Sequence, residues 1–249
     1  MENHSYRELV GNAQAPYLNE LIAQQGLATN YTDDRHHPSL PNYLEITSGS
    51  TWSIRDDRGP LEHPLARDNL AAQLEVAHVP WRAYLESMGE PCRLTNGARY
   101  AVRHNPFVYY TDFRNNRALC AARNVDFREF AADLAANTYR FLWITPDLCD
   151  DAHDCTEQHG DDWLRAHVPP ILASPGYLAG GMLVITWDEG EHGSERIATV
   201  IATTRLPSPG FRSGVRHGHA SLLATIEDFF GLPRLRDAVT AEPLHEFVR

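Results

Sequence analysis

The chain has 249 residues, with 22 Lys and Arg against 33 Asp and Glu, which gives a net charge of −11. This length is enough for one sizeable domain that buries a full sheet between helix layers. The acidic field repels polyanions, so we expect no nucleic acid as a main partner. No stretch reaches the roughly 20 apolar residues that a transmembrane helix needs.

Helix and strand signals alternate along the chain. Four helices are predicted. One covers 16–25, and another covers 220–229 and ends at Gly231. The other two begin after the capping residues Asp68 and Asp126 and run through Leu74 and Leu134, respectively. Predicted strands cover 81–85, 141–145, 182–187 and 197–203. The alternation predicts an α/β domain with a mostly parallel central sheet and helices on both faces. The segments 86–125 and 146–162 are predicted as long irregular loops, which commonly carry function.

Two pairs of oxygen-bearing side chains are candidates for one metal site. The apolar run 182–187 predicts a strand buried on both faces, and Asp188 and Glu189 follow at its end, where α/β sheets bind ligands. Adjacent carboxylates repel each other unless water or a cation lies between them. Glu2 and Asn3 form a second pair, and we expect both pairs to meet around one divalent ion. The alternatives are a solvated acidic turn at 188–193 and an ordinary polar helix start at the first pair.

The segment 37–43 (HPSLPNY) places Ser39 between two prolines, ahead of an apolar helix. A hydroxyl at a helix N-terminus faces free backbone N–H groups and the positive end of the helix dipole, which suits an anionic substrate. The alternative is that Ser39 only caps the helix.

Four cysteines without a CxxC spacing argue against a zinc ribbon or a thioredoxin-type site. An even count in exposed-looking loops favours two disulfides, such as Cys92–Cys120 and Cys149–Cys155, in an oxidising compartment. Four free thiols in a cytosolic enzyme are the alternative.

Taken in order, three motifs resemble the bacterial phosphoesterase family of the alkaline-phosphatase-like superfamily, which includes acid phosphatases and phosphatidylcholine-type phospholipases C. The matching residues are Glu2, Asn3, Ser5, Tyr6 and Gly11, then Ser39, Pro41 and Asn42, then Asp188 and Glu189. Further likenesses are Tyr100 with 104–107 (HNPF), 151–155 (DAHDC) and 219–223 (HASLL). The resemblance covers nearly the whole chain.

The resemblance implies a divalent metal and a serine nucleophile. It implies that Glu2, Asn3, Asp188 and Glu189 hold the ion, with Ser39 as both ligand and nucleophile that forms a phosphoseryl intermediate. These oxygen ligands favour Ca²⁺, Mg²⁺ or Mn²⁺, with Zn²⁺ as a further option. The residues expected to hold phosphoryl oxygens or protonate the leaving alcohol are Asn42, His104, His153 and His219. Asp151 is expected to bind substrate and to orient one of the last two histidines.

With 13 histidines in the chain, most have structural or surface roles, which we expect for His36, His63, His78, His159 and His167. A second metal site of Asp151, His153 and His219 is an alternative to their catalytic roles, and its nitrogen donors would favour zinc.

Members of the family have an apolar strand directly before Glu-Asn, whereas this chain begins at Met1 and shows no signal peptide. We therefore expect residues 1–249 to be a single phosphoesterase domain whose N-terminal strand and signal peptide lie upstream, in a secreted or periplasmic protein. The leading prediction is a phosphomonoesterase that acts on a small phosphorylated substrate or a phospholipid head group. The alternatives are a phospholipase C-type phosphodiesterase and a non-catalytic remnant.

Overall fold

The computed structural model describes residues 1–33, 37–191 and 196–248. Its strands are β1 (Gly26–Ala28), β2 (Trp81–Leu85), β3 (Asn124–Asp126), β4 (Phe141–Thr145), β5 (Met182–Thr186), β6 (Thr199–Thr203) and β7 (Arg212–Ser213). Its α-helices are α1 (Tyr6–Leu9), α2 (Pro16–Gln24), α3 (Ser39–Ser48), α4 (Leu70–Val76), α5 (Thr111–Asn115), α6 (Arg117–Arg123), α7 (Phe130–Ala136), α8 (Glu157–Leu172), α9 (Pro175–Leu178) and α10 (His219–Phe230). Short 3₁₀ turns cover Val102–His104, Pro106–Tyr109, Phe127–Glu129, Arg236–Val239 and His245–Phe247.

The strands form two sheets in the described part of the chain. The three-stranded sheet has the order β3-β2-β4 and is parallel throughout. The four-stranded sheet has the order β5-β6-β1-β7, in which β5–β6 and β6–β1 are antiparallel and β1–β7 is parallel. The predicted α/β class is confirmed. Three of the five strand pairings in the described part of the chain are parallel, as predicted, whereas β6 runs antiparallel to both of its neighbours, β1 and β5.

Helices cover the sheets on both faces. Helices α3 and α10 pack against each other and, with β2 and α4, enclose a core around Leu44, Trp81 and Leu223. Helices α2 and α8 pack together over the other sheet, where Leu18 and Ile201 belong to a second core. No helix in the described residues has both the length and the apolar character to cross a bilayer.

Most predicted elements are confirmed, and some boundaries differ. The cap of α4 is Asn69, whose side chain accepts the N–H of Ala72, rather than the predicted Asp68. The Asp126 side chain caps the 3₁₀ turn that leads into α7. The predicted loop 86–125 was wrong over much of its length, since it contains α5, α6, β3 and two 3₁₀ turns. The predicted loop 146–162 ends earlier, because α8 begins at Glu157, where Thr156 supplies the cap.

Among the described residues, the edge strands are β3 and β4 in the three-stranded sheet and β5 and β7 in the four-stranded sheet. The apolar side chains of β4 and β5 are mostly half-buried, whereas those of β6 are fully buried. The prediction that the 182–187 strand is buried on both faces is therefore wrong for this chain, because one edge of β5 is open.

Backbone hydrogen bonds extend along that open edge of β5. The N-terminal amine of Met1 donates to the carbonyl of Thr186 at 3.4 Å, and the N–H of Asp188 donates to the carbonyl of Met1 at 3.2 Å. This alternation of donor and acceptor is the pattern of a parallel ladder. It fixes the next residue, Glu2, beside the carboxyl end of β5.

Candidate active site

The carboxyl ends of β4 and β5 bring together the residues that were predicted to form the site. Glu2 is joined to the loop after β4 by a hydrogen bond from its N–H to the carbonyl of Asp151, at 3.0 Å. On the β5 side, Asp188 follows the strand directly. Because α3 presents its first turn to the same place, Ser39 completes the cluster. The predicted meeting of the two pairs with Ser39 is what the structure contains.

Glu2 is the centre of the cluster and is fully buried. Its Oε2 atom accepts a hydrogen bond from Ser39 Oγ at 3.2 Å and lies 3.1 Å from His104 Nε2. Its Oε1 atom accepts a hydrogen bond from the Tyr43 hydroxyl. Burial by itself would raise the pKa of Glu2, but the adjacent His104 more than offsets it and lowers that pKa below the usual range. Glu2 is therefore an ionised carboxylate at neutral pH.

One face of α3 supplies three of the contacts. Ser39, Asn42 and Tyr43 lie at positions i, i+3 and i+4 of the helix, so their side chains share a face. Asn42 was predicted to bind substrate, and its Nδ2 lies 3.4 Å from Glu189 Oε2 and 3.5 Å from the carbonyl of Pro38. Sequence reasoning counted Tyr43 only as an apolar helix residue. Its spacing of one turn from Ser39 is the signal that would have revealed its role.

The oxygen atoms of Asn3 and Asp188 indicate whether the cluster can bind a cation. The N–H of Asn3 donates to Asp188 Oδ1 at 3.1 Å. The other oxygens, Asn3 Oδ1 and Asp188 Oδ2, are buried and accept no hydrogen bond from the described residues. Burial, followed by the charges of Glu2 and Glu189, raises the pKa of Asp188 well above its usual range. Unpaired buried oxygens amid excess negative charge are the surroundings that a hard cation would satisfy, so the residues fit a divalent ion.

Glu189 adds a further carboxylate at the rim. Burial, reinforced by Glu2, Asp57 and Asp33, raises the pKa of Glu189 to about 8. Its Oε2 lies 2.7 Å from Nδ1 of His37. Asp33, which is buried, accepts the N–H of Gly190 at 2.8 Å and so fixes the turn after Glu189. Neither His37 nor Asp33 was singled out from the sequence, since only the folded chain brings them to this turn.

His104 lies between two carboxylates. Its Nδ1 faces Asp151 Oδ2 at 3.4 Å, and its Nε2 faces Glu2. Burial would lower its pKa, but the charge of Glu2 and the contact with Asp151 raise it above the ordinary value. The ring stacks on Tyr43, with centroids 5.3 Å apart. Glu2, His104 and Asp151 also offer ligand atoms within 4.8 Å of one another.

The structure places the other predicted histidines at different sides of the cluster. The backbone N–H of His153 donates to Asp151 Oδ1 at 2.8 Å, while its ring contacts Asp154 and Arg103. Asp151 therefore orients the His104 ring rather than the His153 ring. His219 lies with Nε2 2.6 Å from the carbonyl of Asp188 and Nδ1 3.2 Å from the hydroxyl of Tyr31.

These positions bear on the alternative of a second metal site. Among the described residues, His219 does not join His153 and Asp151 in a group of ligand atoms. The His219 ring instead fixes the backbone of Asp188, on the opposite side from the His153 loop.

The remaining histidines have ordinary partners where the structure describes them. His63 and His159 pair with Asp56 and Asp150. His167 packs against Trp163, and His78 is exposed after α4. His36, and the end of the acidic turn at His192 and Gly193, lie outside the described residues.

Both predicted disulfides are present, Cys92–Cys120 and Cys149–Cys155. The second one closes the short loop that carries Asp151 and His153, so it holds their side of the site in place.

Comparison with known proteins identifies relatives over nearly the full length. A model of the phosphoesterase family matches residues 10–233. A phosphatidylinositol-3-phosphatase of Mycobacterium tuberculosis is 27% identical over 98% of this chain and 79% of its own length. A probable acid phosphatase of Kluyveromyces lactis is 27% identical over 94% of this chain, and a phosphate-repressible acid phosphatase of Penicillium chrysogenum is 26% identical over 88%. The chain spans 58% and 55% of the lengths of those two fungal proteins.

Solved structures share the fold at low sequence identity. A phosphonate monoester hydrolase from Silicibacter pomeroyi superposes with a TM-score of 0.65 at 12% identity, over 99% of this chain and 75% of its own. A protein of the alkaline phosphatase superfamily from Vibrio parahaemolyticus superposes with a TM-score of 0.64 at 11% identity, over 94% and 66%. The predicted alkaline-phosphatase-like fold and the family resemblance are both confirmed.

Proposed function

This chain belongs to the phosphoesterase family, a class of phosphoric ester hydrolases, and we propose that it is a metal-dependent phosphomonoesterase that works through a phosphoserine on Ser39. The observation that carries the proposal is the contact of Ser39 Oγ with Glu2 Oε2 at 3.2 Å. That contact places a buried hydroxyl against the carboxylate of Glu2, whose chain neighbour Asn3 donates its N–H to Asp188.

The predicted ligand set for the metal ion is Glu2, Asn3, Ser39, Asp188 and Glu189. All of these donors are oxygens, which favours Ca²⁺, Mg²⁺ or Mn²⁺ over zinc. A divalent cation at this position would lower the proton affinity of the serine hydroxyl and offset the charge of the phosphoryl oxygens. The contact of Asn42 with Glu189 places its amide beside the same cluster, where it can donate to a phosphoryl oxygen.

The chain's own residues account for the two chemical steps. The hydroxyl proton of Ser39 is lost to water, Ser39 Oγ forms a bond to phosphorus, and the bond from phosphorus to the ester oxygen breaks. His104 is held protonated by Glu2 and Asp151 and donates a proton to the leaving alcohol. Water then attacks the phosphoserine and gives one proton to His104, while Ser39 Oγ leaves phosphorus, takes a proton back from water and is free again with inorganic phosphate.

The relatives favour a phosphomonoester as substrate. The names phosphatidylinositol-3-phosphatase and acid phosphatase both denote removal of a phosphate carried on a single ester link. We therefore propose a small phosphorylated molecule or a phosphorylated lipid head group as substrate. The two disulfides favour an oxidising location, and we propose a secreted or periplasmic enzyme.

The test is phosphate release from p-nitrophenyl phosphate, together with metal analysis of the purified protein before and after a chelator. Ser39→Ala is expected to abolish release without a change in the fold. Ser174→Ala is the matched control, since Ser174 also lies at a helix start, where its side chain accepts the N–H of Tyr177. That control should lose about 1 kcal/mol of stability and keep its activity. Undiminished turnover by Ser39→Ala would refute the proposal.

A further inference from the structure

We propose that Arg103 is a specificity-determining residue whose guanidinium holds the doubly charged phosphoryl group of a monoester at the entrance above Ser39. Arg103 thereby favours monoesters over diesters. This inference rests on the proposed function, because it concerns the substrate of the same site.

The position of Arg103 is fixed from two sides. Its Nε lies 3.5 Å from Asp57 Oδ2, and the other oxygen of Asp57 accepts the N–H of Leu40 at 3.0 Å. On the opposite side, Arg103 Nη2 lies 3.2 Å from His153 Nε2. The guanidinium therefore extends from the first turn of α3, where Ser39 lies, to the loop that closes over His104.

The same contacts place Arg103 close to the reacting groups. Leu40 is the residue next to Ser39. The ring of His153 lies 6.3 Å from that of His104, which contacts Glu2. Arg103 itself directly precedes His104 in the 3₁₀ turn Val102–His104. These contacts place the guanidinium between the first turn of α3 and the His153 loop, on the side of the cluster where His104 lies.

Arg103 also retains hydrogen-bonding capacity for a ligand. Its Nε atom faces Asp57 and its Nη2 atom faces His153, so other N–H donors of the same guanidinium remain for a ligand. The side chain as a whole is 19% exposed. A guanidinium stays charged at every relevant pH and presents a planar set of donors that matches two phosphate oxygens.

The charge around Ser39 explains why this residue should discriminate between esters. The carboxyl groups of Glu2, Asp188 and Glu189 belong to the cluster that Ser39 joins, and carboxylates repel a phosphate. A monoester dianion carries one more negative charge than a diester and so gains more from a fixed cation. Loss of Arg103 should consequently reduce monoester hydrolysis more than diester hydrolysis.

The experiment compares Arg103→Met and Arg103→Lys with the wild type on p-nitrophenyl phosphate and bis-p-nitrophenyl phosphate, which share a leaving group. Arg103→Met should lose about 10–100-fold in kcat/KM for the monoester, with a clearly smaller loss for the diester. Arg103→Lys should recover part of the monoester activity. Arg99→Met is the control, because Arg99 lies in the same segment, is 58% exposed and faces Asp147 at 4.0 Å.

The outcomes separate the two proposals. Equal losses for both esters, or no loss, would overturn the role of Arg103 while the proposed function stands. A wild type inactive on both esters would overturn the proposed function. In that event, calorimetry with inorganic phosphate at pH 8 decides on Arg103: weaker phosphate binding by Arg103→Met supports it, and equal binding refutes it.

Discussion

Ser39 donates its hydroxyl proton to the carboxylate of Glu2 across 3.2 Å, although 37 residues separate them in the chain. The contact depends on two independent elements, since α3 positions the serine and the open edge of β5 positions Glu2. Glu2 is held at its second oxygen by Tyr43. The geometry of the nucleophile is therefore set by three side chains rather than by the serine alone.

Replacement of Tyr43 by Phe should weaken the site while it preserves the stacking on His104. The variant leaves Glu2 Oε1 without its hydrogen bond, and a hydrogen bond to a charged group is worth about 1.5–3 kcal/mol. We expect roughly 10–100-fold weaker metal binding or turnover, measured by metal titration and phosphate release. Tyr109→Phe is the control, because the buried hydroxyl of Tyr109 donates to the carbonyl of Arg58 instead. Equal effects of the two variants would contradict a specific role for Tyr43.

The two disulfides should have separable roles. The Cys149–Cys155 bridge spans a sequence separation of 6 and carries the loop of Asp151, whereas Cys92–Cys120 spans 28. Loop-closure entropy predicts losses of about 2 and about 4 kcal/mol on removal of the shorter and the longer bridge. Each disulfide is removed by replacing both of its cysteines with Ser. Removal of Cys92–Cys120 should lower Tm more, and removal of Cys149–Cys155 should lower activity more. If one variant lost more than the other in both Tm and activity, the two disulfides would not have separate roles.

Glu227 provides a pH-dependent stability effect outside the site. It is buried on α10, its Oε1 accepts the N–H of Leu235 at 3.0 Å, and burial raises its pKa to about 7 from an ordinary value of 4.5. The folded state therefore binds this proton more tightly than the unfolded state, so the contribution of Glu227 to stability falls as pH rises from 4.5 to 7.

The neutral variant Glu227→Gln should remove that dependence. We expect it to raise Tm at pH 8 and to leave Tm nearly unchanged at pH 5, measured by differential scanning calorimetry. Glu157→Gln, at the start of α8, is the control. A gain of equal size at both pH values would contradict the buried-charge explanation.

The open edge of β5 leads to a prediction about an added strand. An apolar segment joined to Met1 should pair along this edge, because Met1 already pairs with Thr186 and Asp188 in a parallel ladder. A chain extended before Met1 by six β-branched apolar residues should have a Tm at least about 5 °C higher than one extended by six Gly and Ser residues. Hydrogen exchange should show new protection in β5. Identical Tm values for the two extensions would exclude this pairing.

Much of the fold could be predicted because local patterns encode it. The apolar runs of β2 and β4 have their predicted bounds, and Pro16 and Gly231 mark the start and end of their helices. The direction of β6 could not be read in this way. Direction depends on the connection between strands, and the apolar run of β6 is the same for either direction.

The candidate site was predictable in outline but not in its contacts. Asp188 could be placed because the carboxyl end of an apolar strand is a known location for ligands. The contacts of Arg103 and Asp57 depend on segments that meet only in the folded chain, whereas the spacing of Tyr43 one helical turn after Ser39 is a local signal. The catalytic roles of His104, His153 and His219 remain predictions.

The unpaired oxygens of Asn3 and Asp188 have a consequence for how long the protein survives in its environment. A cation that binds the native chain and not the unfolded one shifts the folding equilibrium by mass action. Scarcity of that ion would then raise the unfolded fraction and expose the polypeptide to proteases. The concentration of that ion would thus govern the amount of folded protein as well as its catalytic rate.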